Sequence, residues 1–240
     1  MNLEICCNSY QSAINAENAG AHRIELCAEL AVGGITPSYG LIKQVISTLK
    51  IPVYVLIRPR SGNFTYSDDE FNIMKQDIQI CRELGCQGIV SGILNADNTI
   101  DIERTQKLII LSKPLSFTFH RAFDWVINPF EALKRLKKLE VDRILTSGQN
   151  TAAEKGIERL KELKEKANNC LSIMPGGGIN SENALLFKKA GFHEIHCSAS
   201  TLNQVSEVPK VPMNYQKLFD ERIIAYSDID KIKTILNIIN

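Results

Sequence analysis

The stretch Val53-Tyr54-Val55-Leu56-Ile57-Arg58-Pro59-Arg60 indicates the fold of this chain of 240 residues. Its first five residues favour a buried strand, and polar residues follow at once. Residues 68–84 then carry apolar side chains at helical spacing, after a start signal at Ser67 and Glu70 that resembles a capping box. This order of strand, polar loop and helix is the repeating unit of a parallel sheet.

Seven more apolar runs repeat the same order, each roughly 20 to 35 residues after the previous one, which is the length of a strand with a crossover helix. They begin near Leu3, Arg23, Gly88, Leu115, Arg143, Leu171 and Glu194. Helices are predicted over 12–19, 39–49, 68–84, 102–111, 129–139, 152–167, 181–190 and 227–239. Eight such units predict the α/β class and a single (β/α)8 barrel, or TIM barrel, whose chemistry lies at the C-terminal strand ends.

We expect one domain over 1–240, because no linker rich in glycine, serine or proline interrupts the rhythm before about residue 202. Segment 201–226 has two prolines and little periodicity, and is predicted to be irregular. We expect it to cap one end of the barrel or to pack on a partner, in a homo-oligomer.

The composition argues against several classes of partner. The net charge is +1, from 28 basic and 27 acidic residues, so no global field attracts nucleic acid or an anionic membrane. No apolar signal segment precedes Glu4, and no run approaches the roughly 18 apolar residues of a membrane span. Seven cysteines without a short repeated spacing favour reduced thiols in a cytoplasmic protein.

Side chains alternate between the two faces of a strand, and the apolar face must contact the helices. The alternation therefore turns Glu4, Cys6, Glu25 and Cys27 towards the barrel interior. The first two strands are neighbours at about 4.8 Å, which predicts that Cys6 and Cys27 lie side by side at the mouth. Two such thiols suit Cu(I) or another thiophilic ion. The alternative is that both are small core residues. Zinc is less favoured, because only His120 and His196 could complete its four ligands.

A second group consists of charged residues at the strand ends. A carboxylate, two guanidiniums and an imidazole there favour acid–base work on an anionic substrate, with Glu25 or His120 as acid or base. We expect Pro59 to hold Arg58 and Arg60 extended, so that both project towards Glu25 or a bound anion. The alternative is a buried ion-pair network. This group comprises Glu25, Arg58, Arg60, His120 and Asp124.

His120 is expected to face the barrel interior, because Phe117 and Phe119 must face the helices. Beside Glu25 its pKa would be drawn towards neutrality, as a general acid or base requires. As a copper ligand it would instead direct a ring nitrogen at the two sulfurs.

A third group is rich in glycine. The loops after the seventh and eighth strands form the phosphate site of many barrels, and the loop after the sixth could add a wall. The alternative is that these glycines only make tight turns. The candidate residues are Ser147, Gly177, Gly178, His196 and Ser198.

The sequence also resembles the CutC family, known as copper homeostasis proteins, from about residue 2 to 200. The resemblance lies in EIC (4–6), RIELC (23–27), GGITPSYG (33–40), IRPRSGNF (57–64), YSD (66–68), TFHRAFD (118–124), DRILTSG (142–148), MPGGGI (174–179) and HCSA (196–199). It implies a TIM barrel, a role in copper tolerance, and Cu(I) ligands at Cys6 and Cys27. Gln149 stands where a glycine is often found.

Two hypotheses of function follow. In the first, a copper homeostasis protein binds Cu(I) through Cys6 and Cys27. In the second, an enzyme acts on a small anionic metabolite, phosphorylated or not. A metal carrier needs the thiols but does not need Glu25, Arg58 and His120 together, whereas an enzyme of that kind does.

Overall fold

Eight parallel strands form the expected barrel in the computed structural model, which describes residues 1–207, 210–211 and 220–240. In the sheet each strand pairs with its neighbours in chain order, and β1 also pairs with β8. Gly176 and His196 form a parallel bridge where β7 meets β8, so the ring is nearly closed. The predicted TIM barrel is confirmed. The strands are β1 (Asn2–Cys7), β2 (Arg23–Leu26), β3 (Val53–Leu56), β4 (Gly88–Ser91), β5 (Ser116–Phe119), β6 (Arg143–Thr146), β7 (Ser172–Pro175) and β8 (Glu194–Cys197).

A helix follows each barrel strand before the next one begins. Three helices begin later than their periodicity predicts, because residues 152–156 and 181–183 form turns and Ser227 still belongs to a strand. In the turn at 152–156, a Cβ on Gly156 would lie 2.0 Å from the carbonyl oxygen of Ser147. The backbone of this turn therefore packs closely on the loop after β6 before the helix begins. The helices are α1 (Tyr10–Ala19), α2 (Tyr39–Thr48), α3 (Asp68–Glu83), α4 (Ile102–Ser112), α5 (Pro129–Lys138), α6 (Ile157–Ala167), α7 (Ala184–Lys189) and α8 (Ile229–Ile239).

The barrel interior contains a layer of ion pairs rather than aliphatic side chains alone. Arg23 bonds Glu4 and lies 2.8 Å from Glu194, which Arg143 also contacts at 2.7 Å. Both guanidiniums lie over the ring of Tyr54, at 4.7 and 5.3 Å from its centroid. Buried charges are stable only when paired in this way, so this layer forms a rigid floor beneath the C-terminal mouth.

Segment 201–226 is not irregular at its ends, contrary to prediction. Strands β9 (Ser200–Gln204) and β10 (Ile223–Ser227) pair antiparallel, and the N–H of Ser227 donates to the hydroxyl of Ser12 on α1. β-branched and aromatic residues such as Ile223 and Tyr226 favour strands here. The pairing was not predicted because the two strands lie far apart along the chain. Residues 208–209 and 212–219 of the segment lie outside the described residues.

The described helices are all too short or too polar to span a bilayer. The longest of them, α3, has 16 residues.

Candidate functional site

Cys6 and Cys27 meet at the C-terminal mouth, as the alternation of faces predicts. Parallel pairing sets Cys6 opposite Glu25, and the amide of Cys27 continues the ladder by donating to the carbonyl of Cys7. The two sulfurs lie 3.6 Å apart, and both residues are buried. Contact with Cys27, together with burial, raises the pKa of Cys6 well above its ordinary value. The Cys6 thiol is therefore protonated until a metal ion or another group displaces its proton.

His196 approaches the thiols from β8. Its Nδ1 lies 2.8 Å from a carboxylate oxygen of Glu4 and 3.8 Å from one of Glu25. Burial would lower the pKa of His196, but contacts with Cys6 and Glu4 and the charge of Glu25 raise it well above its ordinary value. The raised pKa favours a ring that is protonated on both nitrogens, with Nδ1 donating to Glu4. A metal ion that binds Nε2 must displace the proton there.

Ligand atoms of Glu4, Glu25 and His196 lie within 4.8 Å of one another, a spacing at which three groups can hold a cation. Arg23 and the His196 proton already neutralise Glu4, however. The charge balance of this trio is thus satisfied by protons and guanidinium without a hard metal ion.

A contact between Glu25 and His120 was expected, but Glu25 instead lies beside His196. Burial raises the pKa of this carboxyl, which lines the mouth. Its Oε2 is buried and has no hydrogen-bond partner among residues 1–207, 210–211 and 220–240. A buried carboxylate oxygen without a partner is costly, and such atoms mark functional positions.

His120 is a neutral hydrogen-bond donor, and the predicted titration near neutrality is wrong. Its Nδ1 accepts a hydrogen bond of 3.2 Å from the N–H of Ala122, so the ring proton lies on Nε2. Burial and the neighbouring charge of Arg58 lower its pKa to about 3. Within the described part of the chain, the buried Nε2–H has no acceptor. The imidazole packs against Phe64, with ring centroids 5.0 Å apart.

Arg58 and Arg60 do not form the expected pair of anion clamps. Arg58 is buried at the mouth, where its Nη atoms donate to three backbone carbonyls, those of Val32, Gly34 and Gly62, at 2.8–2.9 Å. Arg60 instead bonds Glu70 at 2.5 Å, on the outer side of the loop. The chain bends after β3, so the two side chains diverge, and the first turn of α3 captures the second.

Asp124 and Ser147 brace a loop and are absent from the cavity wall, which corrects their predicted role in binding substrate. Asp124 accepts from the hydroxyl of Thr146 at 2.5 Å and from the amide of Ser147 at 3.1 Å, and it pairs with Arg121. Ser147 is fully buried and donates to the carbonyl of Asn150. A carboxylate held in this way repels an anion rather than binding one.

A cavity of about 410 Å³ unites most of the other predicted residues. Sequence reasoning missed its apolar wall and rim, including Leu56, Phe64 and Trp125, because loop residues between a strand and a helix follow neither periodicity. Arg121 was also missed, although its guanidinium would lie 3.3 Å from a Cβ on Gly177. The predicted residues that line the cavity are Cys6, Glu25, Arg58, His120, Gly177, Gly178, His196 and Ser198. Cys27 lies behind Cys6 and is fully buried.

Known proteins are similar to this sequence over most of its length. The profile of the CutC family matches residues 1–201. A CutC family protein from Photorhabdus laumondii is 48% identical over 200 residues, which cover 83% of this chain and 80% of the relative. A protein from Homo sapiens named copper homeostasis protein cutC homolog is 40% identical over 237 residues, or 97% of this chain and 87% of the relative.

Solved structures agree with the fold. The crystal structure of CutC from Streptococcus agalactiae superimposes with a TM-score of 0.78 at 37% identity, and it covers 82% of this chain and 98% of that one. An aldolase barrel superimposes with a TM-score of 0.62 at 15% identity, over 83% of this chain and 90% of its own, which is a likeness of fold alone. With its barrel, its ordered motifs and these relatives, the chain belongs to the CutC family of copper homeostasis proteins.

Proposed function

We propose that this protein binds Cu(I) through Cys6 and Cys27. The observation that carries the proposal is the separation of 3.6 Å between the two sulfurs. Thiolates are the ligands that soft Cu(I) prefers. With metal–sulfur bonds of about 2.3 Å, one ion can contact both atoms at a bent angle of about 100°, which leaves room for a third ligand.

His196 supplies that third ligand in this proposal. Its Nδ1 is held by Glu4 at 2.8 Å, so Nε2 is the nitrogen left to bind a metal. Metal-binding histidines commonly donate their other N–H to a carboxylate, which fixes the ring and raises its basicity. The contact between Cys6 and His196 supports their joint role.

The experiment is an anaerobic titration of reduced protein with Cu(I) against a chromophoric Cu(I) chelator. One Cu(I) per chain is expected, and the double variant Cys6→Ser, Cys27→Ser is expected to lose it. The matched control is Cys81→Ser, Cys86→Ser, which removes a second interacting pair of buried thiols near α3 and β4. Unchanged copper stoichiometry after loss of Cys6 and Cys27 would contradict the proposal.

A cytoplasmic location is part of the proposal. All seven cysteines are free thiols, and Cys170 is exposed, which suits a reducing compartment and a thiol-bound Cu(I). Fractionation of cells expressing the tagged protein tests the location. Recovery of the protein from an oxidising compartment would contradict it.

A homo-oligomer is also proposed. Val205 and Ile224 expose apolar side chains on one face of the β9–β10 pair, and Leu202 exposes one on the opposite face. Exposed apolar surface of this kind favours association. Sedimentation velocity is expected to show a species heavier than one chain that Leu202→Asp dissociates. A monomer across micromolar concentrations would contradict this part.

A second candidate function is an enzyme acting on a small anionic metabolite in the same cavity. Within the described residues, the buried guanidinium of Arg58 has no carboxylate partner, and Glu25 Oε2 and His120 Nε2 have no hydrogen-bond partner. Two thiols that bind a metal ion require none of these groups. Turnover of small anionic metabolites by the protein, and its loss in His120→Asn, would support this candidate.

A further inference from the structure

We propose that the mouth cavity binds a small hydroxycarboxylate, whose carboxylate lies between Arg58 and His120 and whose hydroxyl contacts Glu25. The inference deepens the second candidate function, because it names the class of anion. It does not depend on Cu(I) binding.

The charge of Arg58 is the first step. The residue is 5% exposed, and its Nη atoms donate to three backbone carbonyls of the described chain, which bring no negative charge. Its Nε has no hydrogen-bond partner within the described part of the chain. Buried charges in proteins are normally paired with a counter-ion. The cavity beside Arg58 is the place from which an anion can supply that charge.

His120 is the second step. The hydrogen bond from Ala122 to Nδ1 fixes the tautomer, so the ring presents an N–H at Nε2. That atom is buried in the cavity wall and has no acceptor among the described residues. Arg58 and His120 both pack on Phe64, at 5.0 Å from its ring centroid, and both line the mouth cavity.

The number of donors selects a carboxylate over a phosphate. Arg58 Nε–H and His120 Nε2–H match the two oxygens of a carboxylate. A phosphate monoester has three oxygens on phosphorus that need charged donors. The other two basic side chains of the wall are already committed, because Arg121 pairs with Asp124 and His196 contacts Glu4. The carboxylate of Asp124 is committed to the loop after β6 and to Arg121, so it competes with an anion on that side.

Glu25 is the third step. Glu25 lines the same cavity as His120, and its buried Oε2 has no hydrogen-bond partner among the described residues. A hydroxyl both donates and accepts a hydrogen bond, so it can pair with this carboxyl whichever protonation state Glu25 has. A ligand that satisfies all three atoms therefore carries a carboxylate and a hydroxyl.

The size of the cavity limits the ligand. A volume of about 410 Å³ lies at the lower end for small-molecule sites. Leu56, Phe64 and Leu145 shield the polar atoms from water, which strengthens an ion pair inside. These features fit a compact acid of roughly two to six carbons.

The experiment is isothermal titration of the purified full-length protein with glycolate, glycerate, threonate and gluconate. Glycerol lacks the carboxylate, propionate lacks the hydroxyls, and glycerol phosphate replaces the carboxylate by phosphate. At least one of the four hydroxycarboxylates is expected to bind at least about tenfold more tightly than any of these three. This ratio corresponds to the free energy of one hydrogen bond to a charged group.

The variant His120→Asn tests the geometry. Asparagine keeps a short side-chain acceptor for the Ala122 amide but removes the donor at Nε2. Circular dichroism is expected to show an intact fold, and affinity for the bound acid is expected to fall by about tenfold or more. Glu25→Gln is expected to weaken the hydroxycarboxylate while leaving propionate unchanged.

Three results would overturn the inference: no binding by any of the four acids, equal binding of glycerol, or unchanged affinity in folded His120→Asn. If glycerol phosphate binds more tightly than all four, the carboxylate class is wrong, but an enzyme acting on an anionic metabolite is still supported. If no anion binds, that second candidate function fails as well.

Discussion

The sulfur of Cys6 lies 3.6 Å from the sulfur of Cys27, although the two residues are 21 positions apart, Cys6 on β1 and Cys27 directly after the end of β2. The pairing of β1 with β2 sets this distance, because consecutive inward positions of neighbouring strands end at the same mouth. The thiols are therefore positioned by the rigid part of the barrel rather than by a loop. A site held in this way needs little reorganisation to bind a metal ion.

Gly34 supports this geometry from the loop after β2. Its φ is +86°, and a Cβ there would lie 2.7 Å from Leu56 and 3.2 Å from the Cβ of Cys27. We expect Gly34→Ala to lower the free energy of unfolding by about 1–2 kcal/mol, through the left-handed backbone. Because the added Cβ displaces Cys27, the variant should also bind Cu(I) about tenfold more weakly, as measured by chelator competition. Gly40→Ala is the control, because no atom lies within 4 Å of its added Cβ. Equal Cu(I) affinity in both variants would contradict the prediction.

Glu4 should tune the metal site without binding the ion. Its carboxylate holds Nδ1 of His196. We expect Glu4→Gln to keep one Cu(I) per chain but to lower the affinity by about 10- to 100-fold, because the imidazole loses its orienting acceptor. Glu103→Gln, at an exposed carboxylate paired with Lys107, should leave the affinity unchanged. Complete loss of copper from Glu4→Gln would mean that Glu4 is itself a ligand.

The buried ion pairs of the floor should contribute more to the free energy of unfolding than exposed ion pairs do. Arg143 contacts Glu194 at 2.7 Å and Thr118 at 3.1 Å inside the barrel. Without Arg143, Glu194 shares Arg23 with Glu4, so two buried carboxylates have one guanidinium between them. A buried charge without full compensation is costly, so Arg143→Met should cost about 3–5 kcal/mol in urea unfolding. Lys107→Met breaks an exposed helix pair and should cost less than about 1 kcal/mol. A similar cost for both variants would show that the floor is not a charged unit.

His120 should make the protein less stable in mild acid. Its pKa is about 3 in the folded chain and near 6.5 when unfolded, so the unfolded state binds more protons between these values. The stabilising contribution is complete above about pH 6.5 and is lost as the pH falls towards 3. Between pH 7 and pH 5 the loss should be about 2 kcal/mol.

Urea unfolding of the wild type and of His120→Asn at both pH values isolates this contribution, because other groups titrate alike in the two proteins. The variant should lose about 2 kcal/mol less than the wild type over this interval. An equal loss in both proteins would show that His120 is not held neutral.

The barrel follows from local patterns, which is why its strands could be predicted closely. Each run carries its own alternation, and Val53–Leu56 ends one residue before its apolar run gives way, after Ile57, to Arg58. The juxtaposition of Cys6 and Cys27 needed only alternation and the adjacency of consecutive strands. Both kinds of information are contained in short stretches of sequence.

Partners that form beyond the strands could not be predicted in this way. Arg60 turns to Glu70 because the loop bends and the first turn of α3 offers a carboxylate. His120 bonds the amide of Ala122, two residues on, instead of Glu25. Loop bends and side-chain rotamers decide these contacts, and neither leaves a periodic trace in the sequence.

The central claim is that one Cu(I) is bound jointly by Cys6 and Cys27, and copper K-edge X-ray absorption of the Cu(I)-loaded, reduced protein tests it most directly. The account predicts two sulfur neighbours at about 2.3 Å with one nitrogen neighbour, and loss of the sulfur shell in Cys6→Ser, Cys27→Ser. A first shell of nitrogen and oxygen alone, or a sulfur shell that survives the double substitution, would contradict it.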